Sequence, residues 1–191
     1  MKKCAWALSS ASEEKYHDRE WGVPVHDDRL LFEFLILEGA QVGLSWSTIL
    51  NKREGYRKAF DNFDAQKISH YNDEKIKQLL NNSEIIRNRL KVNAAISNAK
   101  AFLTIRQEYD SFDSYIWQFV EGKSIQNHWQ QHEQIPVTTI ESEQMSKSLK
   151  QKGFKFVGAT ICYAYMQAIG MVNDHTDDCF RHQQIKALCC G

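Results

Sequence analysis

Proline is scarce in this 191-residue chain, two in all, and glycines number only nine, so it lacks the composition of a collagen-like, low-complexity or linker-rich protein. It also lacks net charge: Lys plus Arg and Asp plus Glu stand at 24 each, and no overall field draws it to nucleic acid or to a membrane surface. No secretory leader is legible. After Met1-Lys2-Lys3 the apolar stretch from Cys4 to Leu8 is too short for a signal core. The odd count of five cysteines (4, 162, 179, 189 and 190) therefore speaks for reduced thiols, with metal binding ahead of disulfides. P-loop, GxGxxG, GxSxG and HExxH patterns are absent, which leaves nucleotide-fold, hydrolase-elbow and zincin readings unsupported. One long uncharged run exists, the eighteen residues from Phe156 to Asn173. It carries Thr160, Gln167, Asn173, two glycines and two tyrosines, so it reads as a central helix buried in protein. A soluble, cytoplasmic protein with no membrane partner is expected.

What is present is a core. With 42% apolar and 12% aromatic residues, one domain over 1–191 can fold without staples. The periodicity is helical throughout, and the expected class is all-α. Ser10-x-x-Glu13 has capping-box spacing for a helix to about Glu20. Asp27 or Asp28 caps a second, which Gly39 and Gly43 break, and Ser45 caps a third through Phe60. Further helices fit Asp73 to Leu80, Ile86 to Ile105, Phe112 to Val120, and Ser142 to Lys152 with Gly153 as its C-terminal cap. Residues 121–141 have no clean period, and Pro136–Thr139 fits a loop or a lone strand.

Charge is segregated along this scaffold. Residues 85–107 hold Arg87, Arg89, Lys91, Lys100 and Arg106 without an acid, and 144–173 hold Lys147, Lys150, Lys152 and Lys155, again without one. Residues 13–38 hold eight acids against three bases. The two basic segments read either as one phosphate-facing side or as two solvated helix faces.

Three constellations carry chemistry. His175-x-x-x-Cys179 puts both side chains on one face of a helical turn, as a local pair on a tetrahedral metal requires. Cys4 joins it from the other end, as does His17 if its helix runs back toward the N-terminus. Such a Cys₂His₂ set has no open position and ties the chain ends together; the competing reading is a buried cysteine and surface histidines that never meet. The adjacent Cys189 and Cys190 form a rival pair. Next, Glu38 continues the apolar stripe of Leu31 and Leu35, which is costly for a carboxylate without a partner. It reads either as functional or as a helix-end residue paired with an arginine. Third, Trp6, Tyr16, Trp21 and Trp46 concentrate near Glu38, which suits a flat ligand that is cationic or rich in N–H donors, or plain core packing.

Several segments together resemble one family. Trp21-Gly22-Val23-Pro24, the run Leu37 to Trp46, Ile85-Ile86-Arg87-Asn88-Arg89, Gly153 through Cys162, and Asn173-Asp174-His175 are similar to 3-methyladenine DNA glycosylase I, nearly end to end. The resemblance implies a helix-hairpin-helix glycosylase fold, with the hairpin pair at about 73–105 and its turn at Asn81–Ile85 over the DNA backbone. It implies one structural zinc on Cys4, His17, His175 and Cys179. It implies catalysis at Glu38 and a base pocket of Trp6, Tyr16, Trp21, Glu38 and Trp46. Leu44 is the expected wedge into the duplex, with Arg87, Arg89, Lys91 and Lys155 on the DNA. The implied activity is base-excision repair by a monomer on double-stranded alkylated DNA. The enzyme is expected to extrude 3-methyladenine and hydrolyse its glycosidic bond, with no lyase step. Two alternatives stand beside it: a zinc-stabilised module that binds damage without excision, and a catalytic zinc hydrolase, against which four protein ligands argue. Two residues need separate notice. Glu84 stands where the family often has glycine, and a side chain there weakens a backbone grip on phosphate. Asp174 is a tempting general base, but its position beside His175 fits local hydrogen bonding better.

Overall fold

A computed structural model describes residues 1–189, so the Cys189–Cys190 pair falls outside the described side chains. The chain begins with a single-turn 3-10 segment at Ala5–Ser9, followed by α1 (Ala11–Arg19), α2 (Asp28–Gln41) and α3 (Trp46–Ala59). Each of these helices is capped by the side chain the sequence nominates. Ser10 accepts from the Glu13 N–H, Asp27 from that of Leu30 and Ser45 from that of Thr48, so an otherwise orphaned donor is satisfied at each start. Next come α4 (Ala65–Ser69), α5 (Asp73–Asn81), α6 (Arg89–Glu108) and α7 (Phe112–Trp117). After an irregular stretch, α8 (Ile140–Gln151), α9 (Ala159–Ala168) and α10 (Phe180–Cys189) complete the helical set.

Helix α2 is the axis of the core. Every residue from Leu31 to Ala40 is buried, because α3, α6, α7 and α9 all pack against it. Tyr165 of α9 donates its hydroxyl to the Leu31 carbonyl at 3.0 Å.

Four expectations are corrected. The uncharged run 156–173 is not one helix but three pieces. Phe156 takes a left-handed φ of 56°, α9 fills only Ala159–Ala168, and Gly170 turns the chain at φ 76°. A Cβ on Gly170 would sit 2.5 Å from the Val23–Pro24 backbone, so that turn has room for glycine alone. Second, the chain is not purely helical. Ile125–Gln126 (β1) pairs in parallel with Val172–Asn173 (β2), and the strand predicted as an option at Pro136–Thr139 is a loop. Third, α6 opens at Arg89 rather than Ile86, with Asn88 as its cap accepting from the Lys91 N–H, and α5 is capped by Asn72. Fourth, α4 was not anticipated. It is only five residues long, too short for a periodic signal.

The connection between α5 and α6 is held against α3. The Lys52 ammonium donates to the Ser83 carbonyl at 2.7 Å, and the Ile86 N–H donates to the Tyr56 hydroxyl at 3.3 Å. Between them Gly55 lets the connection lie flat: a Cβ there would fall 2.4 Å from the Glu84 carbonyl oxygen. That approach is to backbone, which cannot swing aside. Gly55→Ala is therefore expected to lower stability by about 1–3 kcal/mol despite alanine's better helix propensity, as read by urea unfolding.

Candidate active site and metal cluster

The two glutamates buried in α2 show what makes one of them special. Glu33 is 4% exposed and fully engaged: Arg53 Nε donates to its Oε1 at 2.5 Å and Arg57 Nη2 to the same oxygen at 2.7 Å. Glu38 is 3% exposed and has no ion-pair partner among the described residues, and its Oε2 accepts no hydrogen bond. The arginine pairing weighed for Glu38 thus belongs to Glu33. Desolvation, with nothing to offset it, pushes the Glu38 carboxyl up to about 8.

Glu38 lines a cleft of about 530 Å³ of empty space together with Trp6, Tyr16, Trp21 and Trp46, so all five residues nominated for the base pocket come together. The Tyr16 and Trp46 rings lie 5.4 Å apart, and Trp6 packs edge-on to Trp21 at 5.0 Å. Three buried polar atoms of these residues lack any partner: the Tyr16 hydroxyl, Glu38 Oε2 and the Trp46 indole N–H. An unpaired buried polar atom costs about 1–3 kcal/mol, and three on one cleft describe a site built for a polar, flat guest.

Sequence reasoning missed Gln41, His132 and Gln167, which also line this cleft. Gln41 lies one helical turn beyond Glu38, a spacing that could have named it. Gln167 interrupts an apolar run, which was a second signal. His132 comes from the irregular 127–135 stretch and carried none.

Behind the cleft, Cys4, His17, His175 and Cys179 are all buried, with ligand atoms within 4.8 Å of one another. Cys179 Sγ lies 3.4 Å from His17 Nε2 and 3.6 Å from His175 Nδ1, and Cys4 Sγ is 3.6 Å from His175 Nδ1. A tetrahedral ion with bonds of about 2.0–2.3 Å requires ligand–ligand edges of roughly 3.3–3.8 Å, so the cluster fits one. The outer ring nitrogens fit too. His175 Nε2 donates to the Trp21 carbonyl at 3.1 Å and His17 Nδ1 meets Asp18 at 2.8 Å, which leaves the inner nitrogens as lone-pair donors. The neighbouring Cys4 thiol, with His17 and His175, holds the Cys179 thiol below its usual range, while Cys179 and burial push that of Cys4 up. Among the described residues the only other grouping with ligand types in reach is His128, Asp177 and His182, and there His182 Nε2 is engaged by the Asn127 carbonyl at 2.9 Å.

The cluster and the cleft share their residues' neighbours. Tyr16 precedes His17 in α1, and the Trp21 ring packs on His175 at 4.6 Å. Asp174 is spent on structure. It is 1% exposed and accepts four hydrogen bonds, from Asn127, Trp129, Tyr163 and Gln167, at 2.7–2.8 Å. No lone pair is left for a water.

The nominated DNA-facing residues divide. Arg87 and Arg89 are exposed, with no ion-pair partner among the described residues. Leu44 is 40% exposed in the turn after α2, beside Gly43 at φ 80°. Lys155 is exposed, and Asn98 of α6 pins its backbone on both sides, at 2.7 and 3.0 Å. Lys91 differs from its nomination: its ammonium donates to the carbonyls of Ala40 and Val42. Glu84 is exposed, and its N–H is taken by Asn82 Oδ1 at 2.8 Å.

Comparison with known proteins agrees with this geometry. The sequence pattern of the methyladenine glycosylase family matches residues 6–182. The chain is 44% identical over 179 residues to DNA-3-methyladenine glycosylase 1 of Escherichia coli, covering 94% of this chain and 96% of that one. It is likewise 44% identical over 177 residues to the DNA-3-methyladenine glycosylase of Haemophilus influenzae, covering 93% and 96%. Among solved structures it superposes on a 3-methyladenine DNA glycosylase I with TM-score 0.91 at 47% identity, covering 94% of this chain and 98% of the other. A Staphylococcus aureus 3-methyladenine DNA glycosylase I, solved to explain 3-methyladenine recognition, gives TM-score 0.91 at 34% identity, with 94% and 96% covered. A match of this extent makes this chain a member of the methyladenine glycosylase family, a family of N-glycosyl hydrolases.

Proposed function

We propose that this chain removes 3-methyladenine from alkylated double-stranded DNA by hydrolysing the N-glycosidic bond, leaving an abasic site for base-excision repair. The observation that carries this reading is the trio of unpaired polar atoms, on Tyr16, Glu38 and Trp46, around an aromatic cleft. The relatives' names support the choice of base.

The glycosidic bond is out of reach inside a duplex, so the nucleotide leaves the stack at a cost of a few kcal/mol. The α5–α6 pair acts as the helix-hairpin-helix, holding the backbone through its connection with Arg87, Arg89 and Lys155, and Leu44 wedges into the gap. Exposed Glu84 costs that grip something, which the two arginines offset. Methylation at N3 puts a delocalised positive charge on the base, which makes it a good leaving group without protonation. The site's work is therefore recognition: aromatic faces favour the cation, and Glu38 accepts from its exocyclic amino group. The guest's charge also favours the ionised form of Glu38, which burial alone disfavours. As the bond to the sugar breaks, its electron pair neutralises the base. Water adds to the oxocarbenium-like sugar carbon and loses a proton. No lysine lines the cleft among the described residues, and the proposal includes neither a Schiff base nor strand cleavage. One chain supplies every residue, consistent with a monomer.

Cys4, His17, His175 and Cys179 would hold a single zinc, which would supply no reaction chemistry, since four protein ligands would leave it no open position. With His17 and His175 so tied, Tyr16 beside the one and Trp21 against the other would be fixed in place.

Three outcomes are expected. Methylated DNA incubated with the protein releases free 3-methyladenine, separated by chromatography, and Glu38→Ala cuts that release by at least about 100-fold while remaining folded; no release by folded wild type would favour the damage-binding module. Metal analysis returns one zinc per chain, and Cys179→Ala loses it together with several degrees of thermal midpoint. The third concerns pH. With the folded Glu38 carboxyl near 8 and its ordinary value of 4.5, the folded state keeps a proton that the unfolded state gives up between these values. Stability is thus fullest below about 4.5 and falls as pH rises to 8. Glu38→Gln removes that slope, so its advantage over wild type in urea unfolding should grow by about 3 kcal/mol between roughly pH 5.5 and 8.

A further inference from the structure

Lys91 is half-buried at the third position of α6, and its backbone N–H is held by the Asn88 cap at 3.1 Å. Its side chain reaches across to the end of α2, where Nζ lies 2.8 Å from the Ala40 carbonyl and 2.7 Å from that of Val42. These are among the carbonyls a helix C-terminus leaves without partners, and an ammonium there also answers the negative end of the helix dipole. Two of its three protons are thereby spent inside the protein. The carbonyls it holds bracket a short path. Ala40 is two residues beyond Glu38, and Val42 opens the turn whose Gly43 sits at φ 80° and whose Leu44 N–H donates to Gln41 at 2.7 Å. Burial lowers the Lys91 ammonium from its usual range, as befits a charge turned inward. Arg87 and Arg89, four and two residues earlier, face outward with no partner among the described residues, so the basic segment divides between grip and support.

We propose that Lys91 is a positioning residue: it locks the turn carrying Leu44 to the first turn of α6, so that the hairpin's hold on the DNA backbone sets the wedge in register with the cleft. The assignment rests on the glycosylase reading above. A lysine on a phosphate and a lysine supporting a wedge differ in what they do to salt dependence and to Leu44.

The test compares wild type, Lys91→Met, Leu44→Ala and the double variant on a duplex carrying one 3-methyladenine, in single turnover with saturating enzyme, together with binding to undamaged duplex across salt concentrations. Lys91→Met should slow excision about tenfold or more. It should leave the salt slope unchanged, and the double variant should be no slower than Leu44→Ala alone. A slope reduced by about one ion with the saturated rate intact would make Lys91 a phosphate contact and overturn the proposal, as would additive losses in the double variant. If Lys91→Met does not fold, the ammonium nitrogen resonance of Lys91 in wild type decides: it should hold still as undamaged duplex is titrated in, and a shift like that of a surface lysine would overturn the assignment. Failure of wild type to release any base would sink the glycosylase reading first, and this proposal with it.

Discussion

A helix buried on all sides has nowhere to put a charge, and that constraint on α2 organises the rest of the molecule. From Leu31 to Ala40 it is enclosed by four other helices, yet it carries two carboxylates. The chain resolves the first by covering Glu33 with Arg53 and Arg57 from α3, and Arg53 also reaches Glu20. It leaves the second unresolved. Bare burial of Glu38 is a standing cost, tolerable because the surrounding packing is extensive.

The site is assembled from distant parts of the chain, and each part is held by something other than the ligand. Glu38 is fixed by its enclosed helix. Tyr16 and Trp21 are fixed by the cysteine–histidine cluster behind them, and Trp46 by its place at the start of a helix capped by Ser45. Gln167 is fixed by Asp174, which also anchors Asn127 and Trp129 and so the stretch that bears His132. The cleft is pre-organised, and recognition spends little on ordering side chains.

How much of this was legible in the sequence depended on how local each signal was. Ser10, Asp27 and Ser45 act on residues three positions away, so their helix starts could be read directly. The metal-type set could be nominated from spacing and chemistry, although only the fold brings Cys4 and His17 beside His175 and Cys179. Glu38 was visible as a charge on an apolar stripe, but nothing in the sequence assigned the nearby arginines to Glu33 instead. The run 156–173 misled because burial on every side erases periodicity: an uncharged stretch looks the same as helix, turn or strand. Left-handed Phe156 gave no warning at all. The paired strands at 125–126 and 172–173 are two residues each, below any pattern's reach. Lys91 shows the same limit for charge, since a basic run does not say which of its members turn inward.

The contact of His175 with Trp21, by a ring face and by the Trp21 carbonyl, has a consequence for how the protein comes into being. The front wall of the cleft is made by residues 6–46, which are translated well before residues 175–179 that hold it. Until those emerge, Tyr16 and Trp21 lack their backing, and their aromatic faces have nothing behind them to pack on. The cleft is therefore completed late in synthesis, together with the core, because α9, which packs on α2, is also translated long after the cleft's front wall.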